Sequence, residues 1–124
     1  MHILLVEDDA ICAMVEKGLF EGLDCEVSMA TSGEEAIDLI KRENSFDAIA
    51  MDIGLPHKNG IQTCIDIRAY EKENAKKTIA IIAVTSNADP KVESQCKAAG
   101  MQEVMAKLFT QEMVREFLSV INSK

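Results

Sequence analysis

An alternation restricts this chain more than any other feature. Five short apolar, β-leaning runs, at residues 3–6, 25–29, 47–51, 79–84 and 103–106, are separated by four longer segments of helical period, and a fifth such segment follows the last run. A strand that must cross a helix before the next strand begins meets its neighbour parallel. The middle runs are apolar throughout instead of alternating, the pattern of strands covered on both faces. The expectation is an α/β fold, a parallel sheet with helices on both sides. Such sheets bind ligands beyond the carboxyl ends of their strands.

The helical segments carry their own start signals. The first is predicted to begin near Asp9, whose side chain caps it, with Ile11, Met14, Val15 and Leu19 on one inward face. Ser32 and Glu35 form an S-x-x-E capping box ahead of the inward Ala36, Ile37 and Ile40. The third helix is expected over about residues 60–70, with Ile61, Cys64, Ile65 and Arg68 at matching spacing, before it dissolves into the solvated run EKENAKK. Asp89 and Pro90 open a fourth helix that has only Val92, Cys96 and Ala99 to anchor it. Thr110 opens the last, whose stripe of Met113, Val114, Phe117, Leu118 and Ile121 reads as core.

With 124 residues and no low-complexity break, residues 1–124 are expected to form one domain that buries roughly two thirds of its unfolded surface. No apolar run approaches the ~20 residues of a membrane span, and no export leader opens the sequence, so the expectation is a soluble, cytoplasmic chain without membrane contact. The net charge of −8 repels phosphate backbones and anionic lipid, which argues against nucleic acid and for a cation or a basic protein surface as partner. Cys12, Cys25, Cys64 and Cys96 fall one per segment without a C-x-x-C pair, so they read as reduced, partly buried thiols.

Chemistry-bearing residues gather at the strand ends: Glu7 and Asp8 after the first strand, Asp52 after the third, Thr85 and Ser86 after the fourth, Lys107 after the fifth. In a folded sheet they converge. Two like charges about 4 Å apart repel by roughly 4 kcal/mol at an effective dielectric near 20, so such acids must take up protons or hold a cation. Oxygen ligands without His or Cys favour a hard ion, Mg²⁺ first. Carboxylate, hard metal, hydroxyl and ammonium are together what an oxygen nucleophile needs to accept a phosphoryl group: Asp52 attacks while metal and Lys107 neutralise the charge.

In this order and over essentially the whole chain, ILLVEDD, MDIGLPHKNG, VTSNA, AAGM and AKL resemble the receiver domain of two-component response regulators. TSNA and CKAAGM lean toward receivers carried by hybrid sensor histidine kinases. The resemblance implies a flavodoxin-like, doubly wound five-stranded sheet of order 2-1-3-4-5 and a place in phosphorelay signalling. It implies that Asp52 is the phospho-acceptor, loaded from a histidine of a partner histidine kinase or histidine phosphotransfer domain. Asp8 would bind Mg²⁺ directly, Glu7 largely through water, and Gly54 through its backbone carbonyl. Thr85 would donate a hydrogen bond to the phosphoryl group beside the Ser86 backbone N–H, and Lys107 would pair with it. Such a domain assists its own phosphoryl transfer and autodephosphorylation without being a turnover enzyme, and it switches the face made by the fourth helix, fifth strand and fifth helix. Asp9 falls outside the acidic pair and is the helix cap. Pro56 and Gly60 fit the turn after the acceptor strand, where glycine permits an otherwise strained backbone. His57 and His2 are not expected to have a functional role.

Two positions depart from the family pattern. Leu108 follows Lys107 where proline after a cis bond is usual, which puts the aim of Lys107 in question. Val104 stands where Tyr or Phe is usual, and valine's single stiff torsion does not fill space as a swinging ring does. The signal is then expected to travel through loop and fourth-helix movement. A degenerate receiver that serves only as a docking module is the rival reading. A phosphatase of the haloacid dehalogenase type wants a second acid where Gly54 stands. A flavin module wants a phosphate cradle where Glu7 and Asp8 stand. Stand-alone receiver and piece of a larger kinase both remain open.

Overall fold

The computed structural model describes residues 1–43, 45–54, 59–86, 88–107 and 110–122. In chain order the elements are β1 (His2–Val6), α1 (Ala10–Glu21), β2 (Glu26–Ala30), α2 (Gly33–Arg42), β3 (Ala48–Asp52), α3 (Gly60–Glu73), β4 (Ala80–Thr85), α4 (Pro90–Ala98), β5 (Glu103–Ala106) and α5 (Gln111–Asn122). The strands form one sheet in the order β2-β1-β3-β4-β5, with every neighbouring pair parallel. That is the expected architecture, with strand bounds shifted by about one residue.

Side chains of successive strand residues leave the sheet on opposite faces, and the core divides accordingly. Leu4, Val6, Ile49, Met51, Ile81 and Ala83 pack under Ala36, Ile40, Cys64, Ile67 and Cys96, so α2, α3 and α4 cover one face. Ile3, Leu5, Ala48, Ala50, Ile82 and Val84 meet Phe20, Val114 and Phe117 from α1 and α5 on the other. Phe20 and Phe117 join those two helices edge to face, with ring centroids 5.1 Å apart. Among the described residues no helix is long and apolar enough to cross a membrane.

Caps fall where the sequence puts them. The Asp9 side chain accepts from the N–H groups of Ile11 and Cys12, and Asp89 accepts from Val92 N–H with Pro90 in the first turn. The capping box at α2 is displaced by one residue on its return side. Ser32 accepts from Glu35 N–H, but the Glu35 carboxylate takes the N–H of Thr31 instead of that of Ser32. Met113 N–H donates to the Thr110 hydroxyl at the start of α5.

Two expectations about faces hold only in part: Leu19 of α1 and Ile61, Cys64 and Arg68 of α3 turn toward the protein, and the other residues expected beside them do not. Ile11, Met14 and Val15 are 76%, 72% and 54% exposed, while the buried row of α1 is Ala13, Glu16 and Phe20. Residues 11–15 are all apolar, so periodicity there has no polar side to orient it, and the aromatic ring of Phe20 decides which face goes in. In α3 the inner row is Thr63, Cys64, Ile67 and Glu71, and Ile65 is exposed. The helix also runs three residues past Tyr70, because Glu71 is not solvated: its Oε2 accepts from Ile79 N–H at 2.8 Å and its Oε1 receives Arg68 Nη1 at 2.8 Å. Arg68 further donates to the carbonyls of Ile79 and Gly100 and to the Gln102 side chain. One guanidinium thus fastens α3 to the start of β4 and to the turn ahead of β5.

Candidate functional site

The parity that divides the core also assembles the site. Glu7 continues the β1 row of Ile3 and Leu5, Asp52 ends the β3 row of Ala48 and Ala50, and Lys107 continues β5 past Met105. All three therefore emerge on the α1/α5 side at the carboxyl edge of the sheet. Glu7 stays in the plane of the sheet because its N–H donates to Ala30 O at 3.0 Å. Lys107 is placed by its N–H donating to Thr85 O at 2.8 Å.

Lys107 Nζ lies 2.8 Å from Glu7 Oε1 and 3.3 Å from Asp52 Oδ2. Gly54 N–H donates to Asp52 Oδ1 at 2.9 Å and holds the rotation of that carboxylate. Asp9 N–H donates to Glu7 Oε2 at 3.2 Å while its own carboxylate caps α1. Thr85 is buried at the end of β4, one residue beyond the Asp52–Val84 register pair, and Ser86 beside it is exposed. Val104 is half-buried against the α2/α3/α4 core. Lys107 thus reaches the acids with Leu108 next in the sequence, and the Lys107–Leu108 bond itself lies outside the described residues, as do Pro56, His57 and Asn87.

Glu7 and Asp52 are 3% and 6% exposed, and Asp8 is open to solvent. One oxygen from each of the three lies within 4.8 Å of the others. Burial pushes Glu7 above the usual carboxylate range, with Asp52 adding to the rise against the pull of Lys107. Burial works against the Lys107 ammonium, but hydrogen bonding to Glu7 and the charge of Asp52 outweigh it and hold its pKa above the ordinary lysine value. Three carboxylates against one ammonium leave the cluster short of positive charge. The donor set is all oxygen and one ammonium does not balance three carboxylates, so the residues fit a hard divalent cation.

The profile of the response regulator receiver domain family matches residues 3–119. The chain belongs to that family. A receiver of known structure from a sensor histidine kinase of Pseudomonas aeruginosa, described with a magnesium ion coordinated in its active-site cleft, is 32% identical with a TM-score of 0.85, over 98% of this chain and 97% of that one. Hybrid signal transduction histidine kinase A of Dictyostelium discoideum is 33% identical over 116 residues, which are 94% of this receiver but 5% of that protein. The receiver thus spans a small fraction of the curated relative it matches. The receiver in a Saccharomyces cerevisiae complex with a histidine phosphotransfer protein shares the fold at 21% identity and a TM-score of 0.89, over 96% of this chain and 86% of that one.

Glu16 is a residue near this receiver's site that the sequence reading passed over. It is 4% exposed on α1, and burial first, then the charge of Glu7, pushes its pKa to about 7. The signal that finds it is Phe20: four residues before an inward phenylalanine, a helical side chain shares its face.

Gly60 needs a different explanation from the one the motif suggests. Among the described glycines only Gly100 has positive φ, so Gly60 does not relieve backbone strain. It is needed because α3 begins in contact with the backbone at the end of β3.

Proposed function

We propose that residues 1–124 are one phospho-accepting receiver domain, in which Asp52 takes a phosphoryl group from a histidine of a partner kinase or phosphotransfer domain. The observation that carries this reading is the convergence of Glu7, Asp8, Asp52 and Lys107 at the ends of β1, β3 and β5, with Lys107 Nζ 2.8 and 3.3 Å from two of the acids. A bound Mg²⁺, held by Glu7, Asp8, Asp52 and the Gly54 carbonyl, would supply the positive charge that the cluster lacks and neutralise phosphoryl oxygens.

The chain's own groups do the rest. An Asp52 carboxylate oxygen forms the new P–O bond as the P–N bond to the imidazole breaks, and the ring nitrogen keeps the electron pair and takes a proton from solvent. Gly54 N–H fixes the carboxylate, Lys107 pairs with the growing charge, and the Thr85 hydroxyl and Ser86 N–H donate to the transferred group. The site opens beside the exposed apolar stripe of Ile11, Met14 and Val15, a surface suited to a helical partner that presents the phosphohistidine. Output runs through α4, β5 and α5, with the segment after Thr85 and α4 moving in place of an aromatic side chain at Val104.

An acyl-phosphate donor with Mg²⁺ should raise the intact mass by one phosphoryl group, and Asp52→Asn should gain nothing. A wild-type chain that gains no mass overturns this reading in favour of a docking module, the alternative that Val104 favours.

A further inference from the structure

Gly60 is the first residue of α3, and its Cα rests on the peptide that joins Asp52 to Ile53. A Cβ built at Gly60 would meet Asp52 O at 2.5 Å, Ile53 Cα at 2.7 Å and Asp52 C at 3.0 Å, all backbone atoms that have no rotamer with which to step aside. The neighbouring glycine differs: a Cβ at Gly54 meets Asp52 Oδ1 at an ordinary 3.5 Å.

Which side yields decides the consequence. The start of α3 is held on its own account. Asn59 Oδ1 accepts from Gln62 N–H at 2.8 Å, and Asn59 O accepts from Thr63 N–H at 3.0 Å and from the Thr63 hydroxyl at 2.9 Å. Thr63 and Cys64 are fully buried. The end of β3 is held less firmly: Ile53 N–H reaches Val84 O at 3.4 Å, and Gly60 N–H reaches Ile53 O at 3.3 Å. A substituent at residue 60 therefore displaces the Asp52–Ile53 peptide. The Asp52 carboxylate hangs from that peptide, and its 2.9 Å bond to Gly54 N–H spans it.

We propose that Gly60 is a positioning residue for the acceptor: by lacking a Cβ it lets α3 press on the backbone of Asp52 and sets the carboxylate in register with Lys107 and the cation ligands. The proposal rests on Asp52 being the acceptor. A misplacement of about 1 Å costs reactions of this kind on the order of a hundredfold in rate.

The test uses Gly60→Ala and Gly60→Ser, with Gly18→Ala as control because a Cβ at Gly18 meets nothing within 4 Å. Phosphorylation by an acyl-phosphate donor is followed by intact mass at saturating Mg²⁺, Mg²⁺ affinity by calorimetry, and folding by thermal unfolding. Folded Gly60 variants should accept phosphoryl roughly ten- to a hundredfold more slowly, or bind Mg²⁺ several-fold more weakly, or both, and Gly18→Ala should do neither. Unchanged rate and unchanged Mg²⁺ affinity in a folded Gly60→Ala chain overturn the proposal. So does failure of Gly60→Ala to fold when combined with Gly18→Ala, because the contact is then architectural. A wild-type chain that takes no phosphoryl, but whose Mg²⁺ affinity falls on Gly60→Ala, refutes the acceptor reading and leaves Gly60 positioning Asp52 as a cation ligand alone.

Discussion

At the scale of single residues, Glu16 is the costliest side chain to keep ionised. Its pKa of about 7 in the fold lies above the ordinary glutamate value of 4.5, so the folded protein binds a proton there that the unfolded chain releases. The sign follows: there is no penalty below pH 4.5, and stability is lost as pH rises toward 7. Converted at the usual rate, the full penalty is roughly 3 kcal/mol. Glu16→Gln, which cannot ionise, should therefore match the wild type near pH 4 and exceed it increasingly up to pH 8. Denaturant unfolding in chelator at several pH values checks this, and a constant difference would contradict it. Asp9 shows what single residues reveal in advance: an acid just before an apolar helix reads as a cap, and it is one. Glu16 was not legible because a charged side chain is ordinarily placed outside, and only the ring of Phe20 on the same face overrules that habit.

At the scale of elements, α1 is instructive because its apolar stripe points to solvent. Its core contacts come from Ala13, Leu19 and Phe20, which leaves Ile11, Met14 and Val15 free to meet another surface. Ile11→Asp with Met14→Asp should leave unfolding and small-donor phosphorylation nearly unchanged while slowing transfer from a phosphorylated histidine protein by tenfold or more. Transfer at the wild-type rate would remove α1 from the docking surface. The end of α3 was hidden for another reason. EKENAKK looks solvated, and residues 72–77 are exposed; Glu71 alone is drawn inward, by Arg68 and the Ile79 N–H, and Arg68 in turn reaches Gly100 and Gln102. Local pattern carries no information about carbonyls thirty residues away.

At the scale of the whole molecule, sequence reading succeeds where a rule acts everywhere at once. Alternating strand and helix force parallel pairing, and period-two side chains then bring Glu7, Asp52 and Lys107 to one side of one edge. The strand order came from family resemblance, since apolar runs of similar length do not say which neighbour each prefers. Glu7 and Asp8 follow β1 and Asp52 ends β3, so a cation bound among them should stabilise the fold as a unit. At a hundredfold excess over its Kd, Mg²⁺ should add about 2.7 kcal/mol, a Tm rise of roughly 10 °C, and Asp8→Asn should abolish most of it. A Tm indifferent to Mg²⁺ would argue against the site.

The placement of Lys107 also bears on assembly order. β5 is an edge strand and the last of the five in the chain, and the Lys107 ammonium that follows it meets the acids of β1 and β3 only once β5 has docked. A refolding or nascent chain carries its densest negative charge uncompensated until then. The crowding of acids at that edge thus makes docking of β5 a step that dissolved ions should favour.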